Sequence, residues 1–155
     1  MNNPFFKEAW QNKARHEKGI ENADDAPEGY ERDIKIFKGL TRNVENTTEH
    51  LSNTEDRDNI REYYKTVMDS VFRYNNAILQ YGKAKLEGVS KDEMENIDFA
   101  RRNVHNGLIT NIGILARLMN KAGLDTSWRD AITDDRKHVQ RWAQNVMYYL
   151  NKEDK

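Results

Sequence analysis

The sequence predicts an all-α protein: an antiparallel helical bundle of four main helices, preceded by a short N-terminal helix. Apolar residues recur at helical spacing through most of the 155 residues, and no segment shows the alternation typical of a strand. The two prolines, Pro4 and Pro27, lie near the N-terminus, so no proline interrupts a helix after Glu28. Charged residues make up 33% of the chain and aromatic residues 10%, which indicates a folded core with a well-solvated exterior.

The composition excludes several classes of function. The chain has no cysteine, so disulfides, thiolate catalysis and cysteine-based zinc sites are all excluded. Its 25 Lys and Arg residues nearly balance 26 Asp and Glu, so net charge does not indicate nucleic-acid binding, although a local basic patch would permit it. No apolar run approaches the roughly 20 residues of a membrane helix, and the first residues lack a secretory pattern. We therefore expect a cytoplasmic protein without a membrane segment.

Residues 1–29 are predicted to form a helical arm and linker, and residues 30–155 a bundle domain. A short helix after Pro4 would carry Phe5, Phe6 and Trp10, and the stretch 19–28 is acidic and rich in turn-forming residues. The second helix is predicted from about Tyr30 to Leu51. Its seam repeats every seven residues, at Tyr30, Phe37, Val44 and Leu51.

The third and fourth helices are delimited by local signals. A capping box over Ser52–Glu55 predicts the start of the third helix, and Gly88 predicts its end. A second capping box, Ser90–Glu93, then opens a helix from about Lys91 to Ala122 that stops at Gly123. Because so short a turn joins two long helices, they should be antiparallel neighbours. A connection containing Leu124 and Trp128 follows, and the last helix is predicted to begin near Thr133.

Three polar residues, Asp98, Arg101 and His105, interrupt the apolar face of the fourth helix. A cation that enters a core costs several kcal/mol unless it is paired, so the cluster is either a structural lock or a site. Asp98 is within helical reach of Arg101 and of Arg102. The binding candidates that would join this catalytic trio are Asn75, Arg102 and Arg136.

The residues leave three interpretations of the cluster open. A buried polar network would fix the register of the helices. Alternatively, the cluster would bind an anion or nucleotide phosphate, with Arg101 as ligand, His105 as acid–base group and Asp98 orienting them. In the third interpretation the helix is rotated relative to the phase assigned from the sequence, and the Arg101 side chain extends to water.

The segment from Arg101 to His105 resembles the Arg-and-His motif of HEPN-domain proteins, with a shorter spacing than that motif usually has. HEPN proteins are all-helical, many are metal-independent ribonucleases, and they often act as dimers, so the resemblance implies RNA cleavage by Arg101 and His105. The longer pattern from Asp98 through Trp128 is similar to small uncharacterised bacterial helical proteins, a resemblance that implies no activity.

We expect the protein to work through association, as a homodimer or with a protein partner, and without chemistry of its own. The reason is an excess of apolar residues on the fourth helix, where Phe99 and Ile114 lie off the main stripe. The alternative is a HEPN-like ribonuclease or a regulator that binds a nucleotide or small anion. No cofactor and no metal site is predicted, because the Glu-x-x-His pairs of di-iron bundles are absent and Asp135 and His138 alone are a weak signal.

Overall fold

The computed structural model describes residues 29–153, without the side chains of 48–50, 136 and 153. The predicted N-terminal arm therefore lies outside the described residues, as does the side chain of Arg136. The described residues are all-helical and contain no strand, so the all-α prediction is confirmed for this part of the chain. The five described helices, in chain order, are α1 Tyr30–His50, α2 Thr54–Glu87, α3 Lys91–Lys121, α4 Ser127–Thr133 and α5 Arg136–Glu153.

Two predicted boundaries need correction. The connection expected around Trp128 contains the short helix α4, whose start is organised by the Asp125 carboxylate: it accepts hydrogen bonds from the Ser127 amide and hydroxyl. The last helix consequently begins at Arg136 rather than near Thr133. At the start of α2 the capping side chain is Asn53, which accepts from the Asp56 amide at 3.2 Å, and not Ser52.

The other helix-end signals are confirmed. The Ser90 hydroxyl accepts a hydrogen bond from the Glu93 amide, so it caps the start of α3. Gly88, at a φ of 66°, ends α2 in the left-handed conformation that glycine adopts without steric cost. At the end of α3, Gly123 and Leu124 donate to the carbonyls of Asn120 and Met119, which is the hydrogen-bond pattern of a Schellman motif.

Helices α2 and α3 form an antiparallel hairpin, as predicted. Contacts between them pair Ser70 with Asn111, Tyr74 with His105, and Tyr81 with Arg101. The residue number falls on α3 as it rises on α2, so the two helices run antiparallel. At one end of this hairpin, α1, α4 and α5 pack against it around a common core. The largest fully buried side chains of this core include Trp142, Tyr74, Leu40, Leu115 and Met119.

The other end of the hairpin extends beyond that core. At about 1.5 Å per residue, the 34 residues of α2 span roughly 50 Å, whereas the 18 residues of α5 span roughly 27 Å. Between Gln80 and Val104 the only buried residue is Ala84. We call residues 80–104 the hairpin tip, and the described residues on either side, 29–79 and 105–153, the base. None of the described helices is long and apolar enough to cross a membrane.

Candidate functional site

The predicted cluster on α3 begins with an ion pair between Arg101 and Asp98, one helical turn apart. Arg101 donates from Nε at 3.1 Å and from Nη2 at 2.6 Å to the same oxygen, Asp98 Oδ1. Arg102 Nε lies 3.3 Å from the other oxygen, Asp98 Oδ2. One carboxylate therefore binds two guanidinium groups, and it neutralises part of the positive charge that would attract an anion.

Arg101 also contacts the opposite helix of the hairpin. Its guanidinium carbon lies 4.9 Å from the centre of the Tyr81 ring, a cation–π contact across the α2–α3 interface. The hydrogen bond with Asp98 is the main reason that the pKa of Arg101 is raised above its ordinary value. Arg101 is therefore a cation held between Asp98 of its own helix and Tyr81 of α2.

His105 lies one turn further along α3 and is buried. Its side chain is 8% exposed, and its ring centre lies 5.1 Å from that of Tyr74 with the planes tilted by 42°. Arg101 and His105 thus both face α2, each against a tyrosine, which agrees with the predicted direction of the two side chains. Arg101 is partly open to solvent, at 26% exposure, and His105 is covered.

The amide nitrogen of Asn75 does not bind this cluster. Its Nδ2 donates to the Val71 carbonyl within α2 at 2.9 Å and to the Ala143 carbonyl of α5 at 3.0 Å. The structure therefore brings together Asp98, Arg101 and Arg102, with His105 one turn away, and places Asn75 in a contact between α2 and α5.

A second polar cluster, which was not predicted, lies in the interface between α1 and α5. Asp33 is 1% exposed, and its carboxylate accepts from Asn145 Nδ2 at 2.7 Å, from Arg141 Nε at 3.3 Å and from Arg32 Nη1 at 3.3 Å. Arg141 in turn packs against Gly29, where an added Cβ would lie 3.0 Å from the guanidinium nitrogen. This cluster is sealed from solvent at its carboxylate, so its chemistry is that of a structural lock.

The sequence did contain a signal for Asp33. It stands three residues after Tyr30 and four before Phe37, inside the seven-residue repeat that predicts the seam of α1. A carboxylate at such a position must be paired when the seam is buried.

Comparisons with family models, curated proteins and solved structures found no match for this chain. Within the residues that the structure describes, no group of three or more His, Asp or Glu side chains is placed to hold a metal ion.

Proposed function

We propose that the protein is an antiparallel bundle of four main helices that works by self-association, and that a homodimer forms through the hairpin tip. One observation carries this proposal. The exposed large hydrophobic side chains of the described residues are Leu86, at 63% exposure, and Phe99, at 58%, and both lie in the tip. An isolated pair of helices gains little stability in water without packing against further elements, so a partner would stabilise this end of the hairpin.

Both side chains continue faces that other helices cover in the base. Leu86 lies seven residues, about two turns, after Leu79, which packs against Met147 and Tyr148 of α5. Phe99 lies fourteen residues before Gly113, which faces the Arg129 guanidinium of α4. Helices α4 and α5 cover these faces in the base, and a second copy of the chain would cover them at the tip.

The charges of the tip favour a second copy over an unrelated partner. The end of α2 carries Lys83 and Lys85 with one acid, Glu87, whereas the start of α3 carries three acids, Asp92, Glu93 and Glu95, with one cation, Lys91. In a two-fold symmetric dimer the same patch faces itself, so the net-basic end of α2 in one copy lies over the net-acidic start of α3 in the other. Such a mixed patch is complementary to itself, and the attraction is electrostatic at the rim of an apolar contact.

Analytical ultracentrifugation at micromolar concentration tests the proposal. We expect the wild-type chain to sediment as a dimer and the double variant Leu86→Glu/Phe99→Glu as a monomer, because two buried carboxylates oppose association. The matched control is Asn59→Glu/Asn120→Glu, which adds the same charge at exposed positions of the base. It should remain dimeric, and both variants should keep the far-ultraviolet circular dichroism of the wild type.

Two results would contradict self-association through the tip. One is a wild-type chain that stays monomeric up to a concentration of about 100 μM, well above the dissociation constants usual for specific dimers. The other is a dimer that persists unchanged in Leu86→Glu/Phe99→Glu, which would place the interface elsewhere.

A second proposal, an RNA-cleaving or anion-binding site at Arg101 and His105, is favoured by their placement on one side of α3 and by the partial exposure of Arg101. The pairing with Asp98 and the burial of His105 favour a structural role instead. Incubating labelled RNA with the wild type, Arg101→Ala and His105→Ala separates the two. Cleavage that is lost in variants with unchanged melting temperatures supports catalysis. No cleavage by the wild type, with early melting of both variants, supports the lock.

A further inference from the structure

A groove runs along the exposed side of α1, where α5 crosses it. One part, of about 570 Å³, has an apolar floor formed by Phe37, Val44 and Leu150, with Tyr64 and Tyr149 at its walls. A second concavity of similar size adjoins it and shares Lys38, Arg42 and Tyr149 with the first. Volumes in this range are typical of sites for small organic ligands.

The groove is lined by three cations that follow one face of α1. Lys35, Lys38 and Arg42 are spaced three and four residues apart, and all three are exposed. None of them forms an ion pair within the described chain, whereas four of the seven other arginines of the base with described side chains have a carboxylate partner. Among the described residues that line the groove, the acidic ones are Glu31 at one end and Glu45 at the other.

Aromatic surface accompanies these cations. Lys38 Nζ lies 5.2 Å from the centre of the Tyr149 ring, and the Tyr149 ring packs edge-on against Phe37 at 6.0 Å between centres. The Tyr64 hydroxyl shares a hydrogen bond with Thr41 at 2.9 Å, which fixes the ring at the wall of the groove. The site therefore offers flat apolar surface and unpaired positive charge side by side.

We propose that this groove binds a small aromatic anion, with its flat body against Tyr64 and Tyr149 and its acid group held by Lys38 and Arg42. A carboxylate, sulfonate or phosphate would meet charge-assisted hydrogen-bond donors there. The site lies on the base, away from the hairpin tip, so it is independent of the proposed self-association.

Gly39 supplies a test that separates binding from folding. It lines the groove beside Lys38, and an added Cβ would meet nothing within 4 Å. Glycine within a helix costs about 1 kcal/mol relative to alanine, so Gly39→Leu should not destabilise α1. The leucine side chain should, however, occupy part of the groove.

Fluorescence titration with two probes tests the proposal: anilinonaphthalene sulfonate, an aromatic anion, and N-phenylnaphthylamine, its uncharged analogue. We expect Lys38→Gln/Arg42→Gln to raise the dissociation constant of the sulfonate by about tenfold or more, because two charge-assisted contacts are lost. The same variant should leave the binding of the uncharged probe unchanged. Lys121→Gln/Lys137→Gln removes two exposed cations elsewhere and should bind both probes like the wild type.

Gly39→Leu should weaken the binding of both probes while its melting temperature equals or exceeds that of the wild type. The proposal is overturned if the wild type does not bind the sulfonate. It is also overturned if Lys38→Gln/Arg42→Gln and the control bind it equally well, or if Gly39→Leu binds both probes like the wild type.

Discussion

The base and the tip of one hairpin differ in what covers them. In the base, Leu108 and Leu115 of α3 have no exposed surface, because α1, α4 and α5 complete the core around them. In the tip, Leu86 of α2 is 63% exposed. The hairpin thus carries leucines in both regions. These leucines are buried in the base and exposed in the tip because α1, α4 and α5 cover the hairpin only in the base. An apolar stripe therefore identifies a face, and tertiary packing decides whether that face is buried.

The ion pairs of the two regions differ in the same way. Asp33 in the base is 1% exposed and binds two arginines and an asparagine, whereas Asp98 in the tip is 30% exposed and binds two arginines of its own helix. The first joins α1 to α5, and the second mainly orients Arg101 over Tyr81. The ion pairs of Asp33 and Asp98 should therefore contribute different amounts to the free energy of unfolding.

The largest expected effect comes from removing the same side chain in both regions. Leu115→Ala should lower the free energy of unfolding by about 2–5 kcal/mol, because it leaves a cavity in a packed core. Leu86→Ala should change it by no more than about 0.5 kcal/mol in the monomer, because its side chain is already in water. Urea unfolding at submicromolar concentration measures both, and equal losses would contradict the distinction between base and tip.

A smaller difference is expected for the two carboxylates. Asp33→Asn should cost about 2 kcal/mol, since it leaves buried donors of Arg141 and Asn145 facing a neutral amide. Asp98→Asn should cost no more than about 1 kcal/mol, since exposed ion pairs contribute little. Raising the salt concentration to 1 M should reduce the effect of Asp98→Asn more than that of Asp33→Asn, because screening acts on exposed charges. The opposite order in urea unfolding would contradict this assignment.

The sequence predicts the long helices and their antiparallel turn because those depend on local chemistry. Gly88, Ser90 and Gly123 act within a few residues of themselves, and the structure confirms all three. Helix α4 was missed since it has only seven residues and its N-cap residue, Thr126, makes no side-chain hydrogen bond. A helix of that length forms through packing, here through the buried Trp128 and Ile132, and carries little periodic signal.

In the candidate sites, too, contacts within one helix were predictable and contacts between helices were not. The grouping of Asp98, Arg101 and Arg102 was predictable, because residues three and four apart on a helix are neighbours. Asn75 was placed on the right stripe, but its partner on α5 depends on how that helix crosses α2. The groove of Lys38, Arg42 and Tyr149 was not predictable for the same reason. Its two walls come from helices whose crossing no local spacing determines.

The smallest expected effect concerns Tyr64 at the wall of the groove. Burial raises the pKa of its phenol above the ordinary value of 10.0, an effect that the hydrogen bond with Thr41 partly opposes. Its contribution to stability is therefore complete below pH 10 and is lost as the pH rises through the raised folded pKa. The free energy of unfolding should fall more steeply above pH 10 in the wild type than in Tyr64→Phe. Absorbance at 295 nm checks the assignment: Tyr64→Phe should remove one late-titrating tyrosine, and Thr41→Val should move that transition to higher pH, because it removes the bond that lowers the pKa. A transition that Thr41→Val leaves unchanged would contradict the role of this hydrogen bond.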